Sequence, residues 1–247
     1  MDTHNAMNPA RRTKRNPSLS MTRHELIGMK AGDKWANDPD INLAQQAHKR
    51  YIHAMDAISN MINAPDPLLT PTANRHRIED AGKKAIESAS KTAQRASSEL
   101  QKRIDALSDI TDERLGLKTS NPDAAEIRSI LRGMDAKDKR AVFRDAIKAE
   151  DSTLIGAVLS ASNPIMLGVD NSQMAKWRNE AESSLTPDLV QFRDAAEYTI
   201  SLLNDSFIAS VSLIDQVTGT PIEQAEDQAA IENARKAESA LSEALSG

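Results

Sequence analysis

The chain has 247 residues, a formal charge of −5 and no cysteine, and only 3% of it is aromatic (two Trp, two Tyr and three Phe). So few aromatics argue against a large, densely packed enzyme core, and the absence of Cys excludes a disulfide framework and any thiolate metal site. The mild charge gives no sign of a nucleic-acid or membrane protein as a whole.

Length alone allows one large domain or two small ones. Hydrophobic residues reach 39% only with alanine counted among them, and Ala, Ser, Lys, Glu and Gln fill much of the chain. Helices accept most of these at low cost, which predicts a helical protein with a thin core. No apolar run approaches the ~18 residues of a membrane-spanning helix. The basic N-terminus has no apolar segment behind it, so no secretory signal is expected. Residues 1–34 carry seven Lys/Arg against three Asp/Glu, whereas residues 219–247 carry two against six. The basic end reads first as a solvated leader. Its alternative is an arm that tracks phosphates weakly and without sequence preference through Arg11, Arg12, Lys14 and Arg15.

In chain order, residues 1–39 hold Pro9, Pro17 and Pro39 with no sustained apolar period, which predicts a flexible arm with at most a helical turn near Arg23–Lys30. Trp35 is expected to bury itself against the chain's own body. Asp40 is predicted to cap a helix running to about Met61, with Ala44, His48, Tyr51, Ile52, Met55, Ile58 and Ile62 on its apolar face. His48 and His53 lie five apart, a poor metal pairing, and read as surface or boundary histidines. The run Pro65-Asp66-Pro67-Leu68-Leu69-Thr70-Pro71 breaks this helix.

The longest helical pattern covers Thr72 to about Ile110. Gly82, Ala85, Ala89, Ala93, Ala96, Leu100, Ile104 and Leu107 recur in steps of three and four that repeat every eleven residues, the mark of a nearly straight stripe. Residues Ala85 to Leu107 of this stripe suggest a self-association seam. Packing against the preceding helix in an antiparallel hairpin is the compatible alternative.

Four short helices follow. Asn121-Pro122 opens the first, Asp135 caps the second, Asp151 or Ser152 the third, and Asp170 with Gln173 the fourth. Between the last two, Pro164-Ile165-Met166-Leu167-Gly168-Val169 reads as a buried apolar plug, with an exposed docking knob as the alternative. Thr186-Pro187-Asp188 starts a long helix to about Val217, and Thr220-Pro221 opens a weakly apolar, acidic closing helix. No alternating β-branched run or hairpin turn signals a strand.

No motif for chemistry emerges. Phosphate loops, the Gly-x-Ser-x-Gly elbow and His-Glu-x-x-His are all absent, and no catalytic, cofactor-binding or metal residues can be named. The abundant carboxylates read as i, i+4 surface pairs. The expectation is a non-enzymatic protein that needs no cofactor.

The stretch AEIRSILRGMDAKDKRAVFRDAIKAEDSTLIGAVLSASNPIMLGV, with its Ala-Val-Leu-x-Ala helix, Pro break and Leu-Gly turn, resembles helical proteins encoded among the structural genes of tailed bacteriophages. That resemblance implies a virion or morphogenesis component, found in the virion or the bacterial host cytoplasm, acting as a homo-oligomer or beside other structural proteins. It implies no active-site residues. The expected fold is an all-α, elongated bundle. A flexible basic arm (1–39) precedes a helical hairpin with an Ala-rich rod (40–118), and a central short-helix cluster with long closing helices follows (119–247). A helical adaptor is the further alternative.

Overall fold

In a computed structural model, the structure describes residues 16–218 and isolated positions between 229 and 242. Among the described residues the fold is all-helical. The α-helices are α1 (Met21–Trp35), α2 (Pro39–Asn63), α3 (Pro71–Arg114), α4 (Ala124–Arg132), α5 (Ala136–Lys148), α6 (Ser152–Leu159), α7 (Asn171–Leu185) and α8 (Pro187–Thr218). Short 3-10 helices occur at Pro17–Leu19 and Pro164–Leu167. At ~1.5 Å per residue, α3 runs for about 65 Å and α8 for about 48 Å.

Four starts share one device, a short polar residue followed by proline. Asn16 accepts from Ser18 N, Asp38 from Asp40 N and Ile41 N, Thr70 from Ala73 N, and Asn163 from Ile165 N. Each side chain satisfies amides left open at a helix start, while the proline sits where its missing N–H costs nothing. Asp135, Asp151 and Asp170 cap α5, α6 and α7 as predicted. Asn121 accepts from Asp123 N, yet α4 begins only at Ala124, two residues later than expected.

The described residues divide into two compact units, each drawn from separate stretches: residues 16–26, 43–96 and 201–218 in one, and 27–42 and 97–200 in the other. The boundaries fall inside α1, α2, α3 and α8.

In the first unit, Gly82 marks where α2, α3 and α8 meet. A Cβ placed there would collide with Ile214 Cδ1 and lie 3.5 Å from Ile58 Cδ1. Arg50 Nη1 donates to Thr92 Oγ1 at 2.8 Å, tying α2 to α3. The buried Asn74 closes the α2–α3 turn, accepting from Asp66 N and donating to the Asp66 and Leu69 carbonyls. Along α8, the buried Ser206 and Ser210 hydroxyls donate to carbonyls four residues back, so small polar side chains enter the interior without unmet hydrogen bonds.

In the second unit, the core gathers Leu115, Leu131, Phe143, Ala146, Ile147, Ile155, Val158, Leu167, Trp177 and Ala181. Phe143 and Trp177 stack with centroids 5.1 Å apart. Each fully buried Leu, Ile or Phe contributes roughly 1.5–3 kcal/mol, so this cluster outweighs an equal length of alanine stripe. Gly116, at φ 72°, turns the chain out of α3 and abuts Gly156 of α6. Trp35 packs edge-on against Phe192 and donates Nε1–H to the Asp188 carbonyl, so it docks on its own chain as expected.

α5 ends with Glu150 at φ 53°, the one described non-glycine residue with positive φ, while Asp151 N reaches back to Ala146 O. A side chain at such a helix end strains the backbone. Glu150→Gly is therefore expected to raise stability by about 0.5 kcal/mol despite glycine's extra unfolded-state entropy, read as a higher midpoint in urea denaturation.

Two expectations for the N-terminal region change. Residues 16–35 form a 3-10 turn and a full helix, kinked at Gly32, rather than a flexible arm with one helical turn. The cap of α2 is Asp38, not Asp40, because Pro39 takes the first helical position. The closing helix expected after Pro221 lies largely outside the described residues.

Candidate interaction surface and stacked histidine pair

The four basic residues named for nucleic-acid contact, Arg11, Arg12, Lys14 and Arg15, lie outside the described residues. Of the bases further along, Arg77 is engaged by Asp66 at 3.1 Å in the α2–α3 turn.

The seam residues Ala85, Ala89, Ala93, Ala96, Leu100, Ile104 and Leu107 do share one face of α3. That face is already filled from within the chain: all but the half-buried Ala85 are buried. A surface that is covered in the single chain cannot also be a free seam, so this face is corrected to an intramolecular packing face. The small side chains that looked suited to a second copy instead let neighbouring helices of the same chain approach closely.

The apolar turn after α6 also departs from expectation. Leu167 is buried in the core and Val169 packs against it half-buried, but Ile165 and Met166 are 74% and 56% exposed. The turn is nonetheless tightly held. Asn163 caps its start, Gly168 closes it in the left-handed region by donating to the Pro164 and Ile165 carbonyls, and Arg132 Nε donates to the Met166 carbonyl at 2.8 Å. One turn back on α4, Arg128 Nε donates to the Ala157 carbonyl at the end of α6. Thus α4 uses two arginines four residues apart to fix the carbonyl ends of two successive elements, and Ile165 and Met166 are held outward on a braced backbone. In the first unit, α8 presents Phe207 and Ile208 at 42% and 64% exposure.

Beside Ile208 lies a depression of about 350 Å³ lined by Asn16, Pro17, Ser18, Arg23 and Asp205. The Ser18 carbonyl at its wall lies 2.7 Å from His48 Nε2. His48 is not a surface or boundary residue but fully buried, because the Pro17–Leu19 turn and α1 cover the part of α2 that sequence periodicity alone would leave at an edge. His24 of α1 stacks on it, with ring centroids 5.7 Å apart and planes inclined by 11°. Burial pushes the His24 pKa below the ordinary histidine value; Lys49 lowers it further and Glu25 opposes this. Burial likewise depresses that of His48, against the hydrogen bond to Ser18 and together with the field of His24. The sequence signal was available, since His48 shares the apolar face of α2 with Ala44, Tyr51 and Ile52.

A second polar cluster joins α3, α7 and α8 in the second unit. The buried Glu182 accepts from Arg178 Nε and Arg193 Nη1, both at 2.8 Å, and Arg178 Nη2 donates to Asp112 at 2.6 Å. Burial pushes the Glu182 carboxyl up, but the two arginines more than offset it and hold its pKa below the ordinary range. Each of its two carboxylate oxygens thus accepts from a structural arginine.

Among the described residues no three His, Asp or Glu side chains converge as metal ligands, and no helix is long and apolar enough to cross a membrane. Comparison with protein-family models, curated proteins and solved structures finds no match.

Proposed function

We propose that this chain is a non-enzymatic structural or assembly protein that works by protein–protein contact, and that it pairs with further copies of itself. The observation carrying this reading is the braced, outward Ile165–Met166 turn. Apolar side chains fixed on a rigid backbone lose little conformational freedom on binding, which is what favours a contact point over a merely tolerated exposure. The resemblance of residues 125–169 to helical proteins of tailed-phage structural gene clusters supports a virion or morphogenesis role. Self-association through the Ala-rich face of α3 is not part of this proposal, since that face is covered.

Light scattering over a hundredfold concentration range tests it. The expected result is a defined oligomer, with Ile165→Asp/Met166→Asp shifting the mass toward the monomer while helicity is retained. A wild-type monomer at every concentration would end the self-association reading.

A further inference from the structure

We propose that His24 and His48 form a proton-operated latch that holds Asn16–Ser20 against α2 and α8 near neutral pH and releases it on acidification. The geometry sets the protonation pattern. A carbonyl oxygen only accepts, so the 2.7 Å approach to Ser18 requires a hydrogen on His48 Nε2. In the neutral ring Nδ1 is then the acceptor nitrogen. It is buried and has no hydrogen-bond partner among the described residues, and neither has His24 Nδ1. Protonating either Nδ1 creates a buried N–H with nothing described to receive it, and protonating both places two like charges in one stacked pair.

The surrounding charges do not rescue the protonated pair. On α2, Lys49 opposes protonation of His24, and burial pushes the Tyr51 hydroxyl to about 12, so Tyr51 stays neutral throughout. On α1, Glu25 favours protonation of His24 but ranks below burial and Lys49, and Arg23 adds a positive charge at the depression. On α8, Asp205 lines the same depression, while Ser206 presents a neutral hydroxyl to the Ser18 carbonyl at 3.5 Å. From α3 the buried residues nearest in sequence to the Arg50–Thr92 tie are Ala89, Ala93 and Ala96, which carry no charge.

Besides the His48 bond, the latched segment is anchored by the buried Leu19 side chain, the Ser206 hydroxyl at Ser18, the local bonds of the Asn16 cap and the bonds of Ser20 to the first turn of α1. It is also where residues 1–15, with their four clustered bases, join the helical body. Both histidines are depressed in the latched form and revert toward 6.5 when it opens. The latch is therefore fully held above about pH 6.5 and loses stability as pH falls from there through the lowered values.

The test is hydrogen exchange by mass spectrometry on the full chain from pH 5 to 8, corrected for intrinsic exchange, with α5 amides as an internal control. Opening of the amides between Leu19 and Leu26 is expected to rise by up to about a hundredfold per pH unit, about tenfold for each histidine, while α5 changes little. His48→Gln keeps a side-chain N–H donor for Ser18 but cannot titrate, so its slope is expected to fall to about tenfold. His24→Phe keeps the stacked ring and removes the other titration, with the same expected reduction, and serves if the glutamine variant fails to fold. Proton NMR of the wild-type rings is expected to show both titrating below 6.5. Exchange that does not change with pH, ring titrations at or above 6.5, or an undiminished slope in a folded variant would each overturn the latch.

Discussion

Replacing Gly156 by alanine is expected to destabilise the protein by about 3 kcal/mol, at the upper end of what overpacking a well-filled site costs. The added Cβ would stand 2.8 Å from the Gly116 carbonyl carbon and closer still to its oxygen. Neither side can yield cheaply. The Gly156 side of the contact is a helix backbone, and the Gly116 side is a turn whose own φ of 72° already needs glycine. A Cβ on Gly116 would in turn meet the Ser152 carbonyl. Moving α6 away to make room would pull Ile155, Ala157 and Val158 from their buried positions. Chemical denaturation should show the loss as a lower midpoint with an unchanged slope, and Gly133→Ala serves as the control. At Gly133 a new Cβ lies 3.5 Å from the nearest atom, an ordinary contact, so a change below about 1 kcal/mol is expected. Equal losses at the two glycines would show that the close approach is not what matters.

The second large effect is expected at Glu182. Truncation to alanine removes the common partner of Arg178 and Arg193 and leaves two cations beside an apolar core. Breaking a fully buried pair in this way costs roughly 3–5 kcal/mol, but both arginines are more than a third exposed and water screens them, so about 2 kcal/mol is the better figure. The pH dependence has a definite sign. Because the folded carboxyl is depressed, its contribution is complete above the unfolded value near 4.5 and is lost as pH falls through the lower folded value. Wild type and Glu182→Gln should therefore converge in stability on acidification. A gap between them that stayed constant from pH 7 to pH 3 would refute the assignment.

Much of this architecture is written locally in the chain. Thr186-Pro187, Asp135, Asp151 and Asp170 announce helix starts through the chemistry of a few adjacent residues, and the structure places starts there. The same chemistry stood at Asn16-Pro17 and Asp38-Pro39. There it was outweighed by the polar composition of residues 1–39, although a cap followed by proline needs no apolar period to begin a helix. The stacked histidine pair was harder to foresee. His48 lies on the apolar face of α2, but its cover arrives from the Pro17–Leu19 turn and α1, a tertiary event that periodicity along one helix cannot report. The Ile165–Met166 turn failed for a related reason. Apolar content argued for burial, whereas the braces from Arg132 and Gly168 decide which of its side chains face inward.

The interleaving of the two units through their long helices bears on how the chain is made. One unit needs residues up to 200 and the other needs residues beyond 200 of the same α8. During synthesis, therefore, α2 and α3 emerge well before either unit can close. Their apolar faces must wait for α8 to leave the ribosome, so that folding is expected to be a late, chain-length-triggered event rather than a unit-by-unit one.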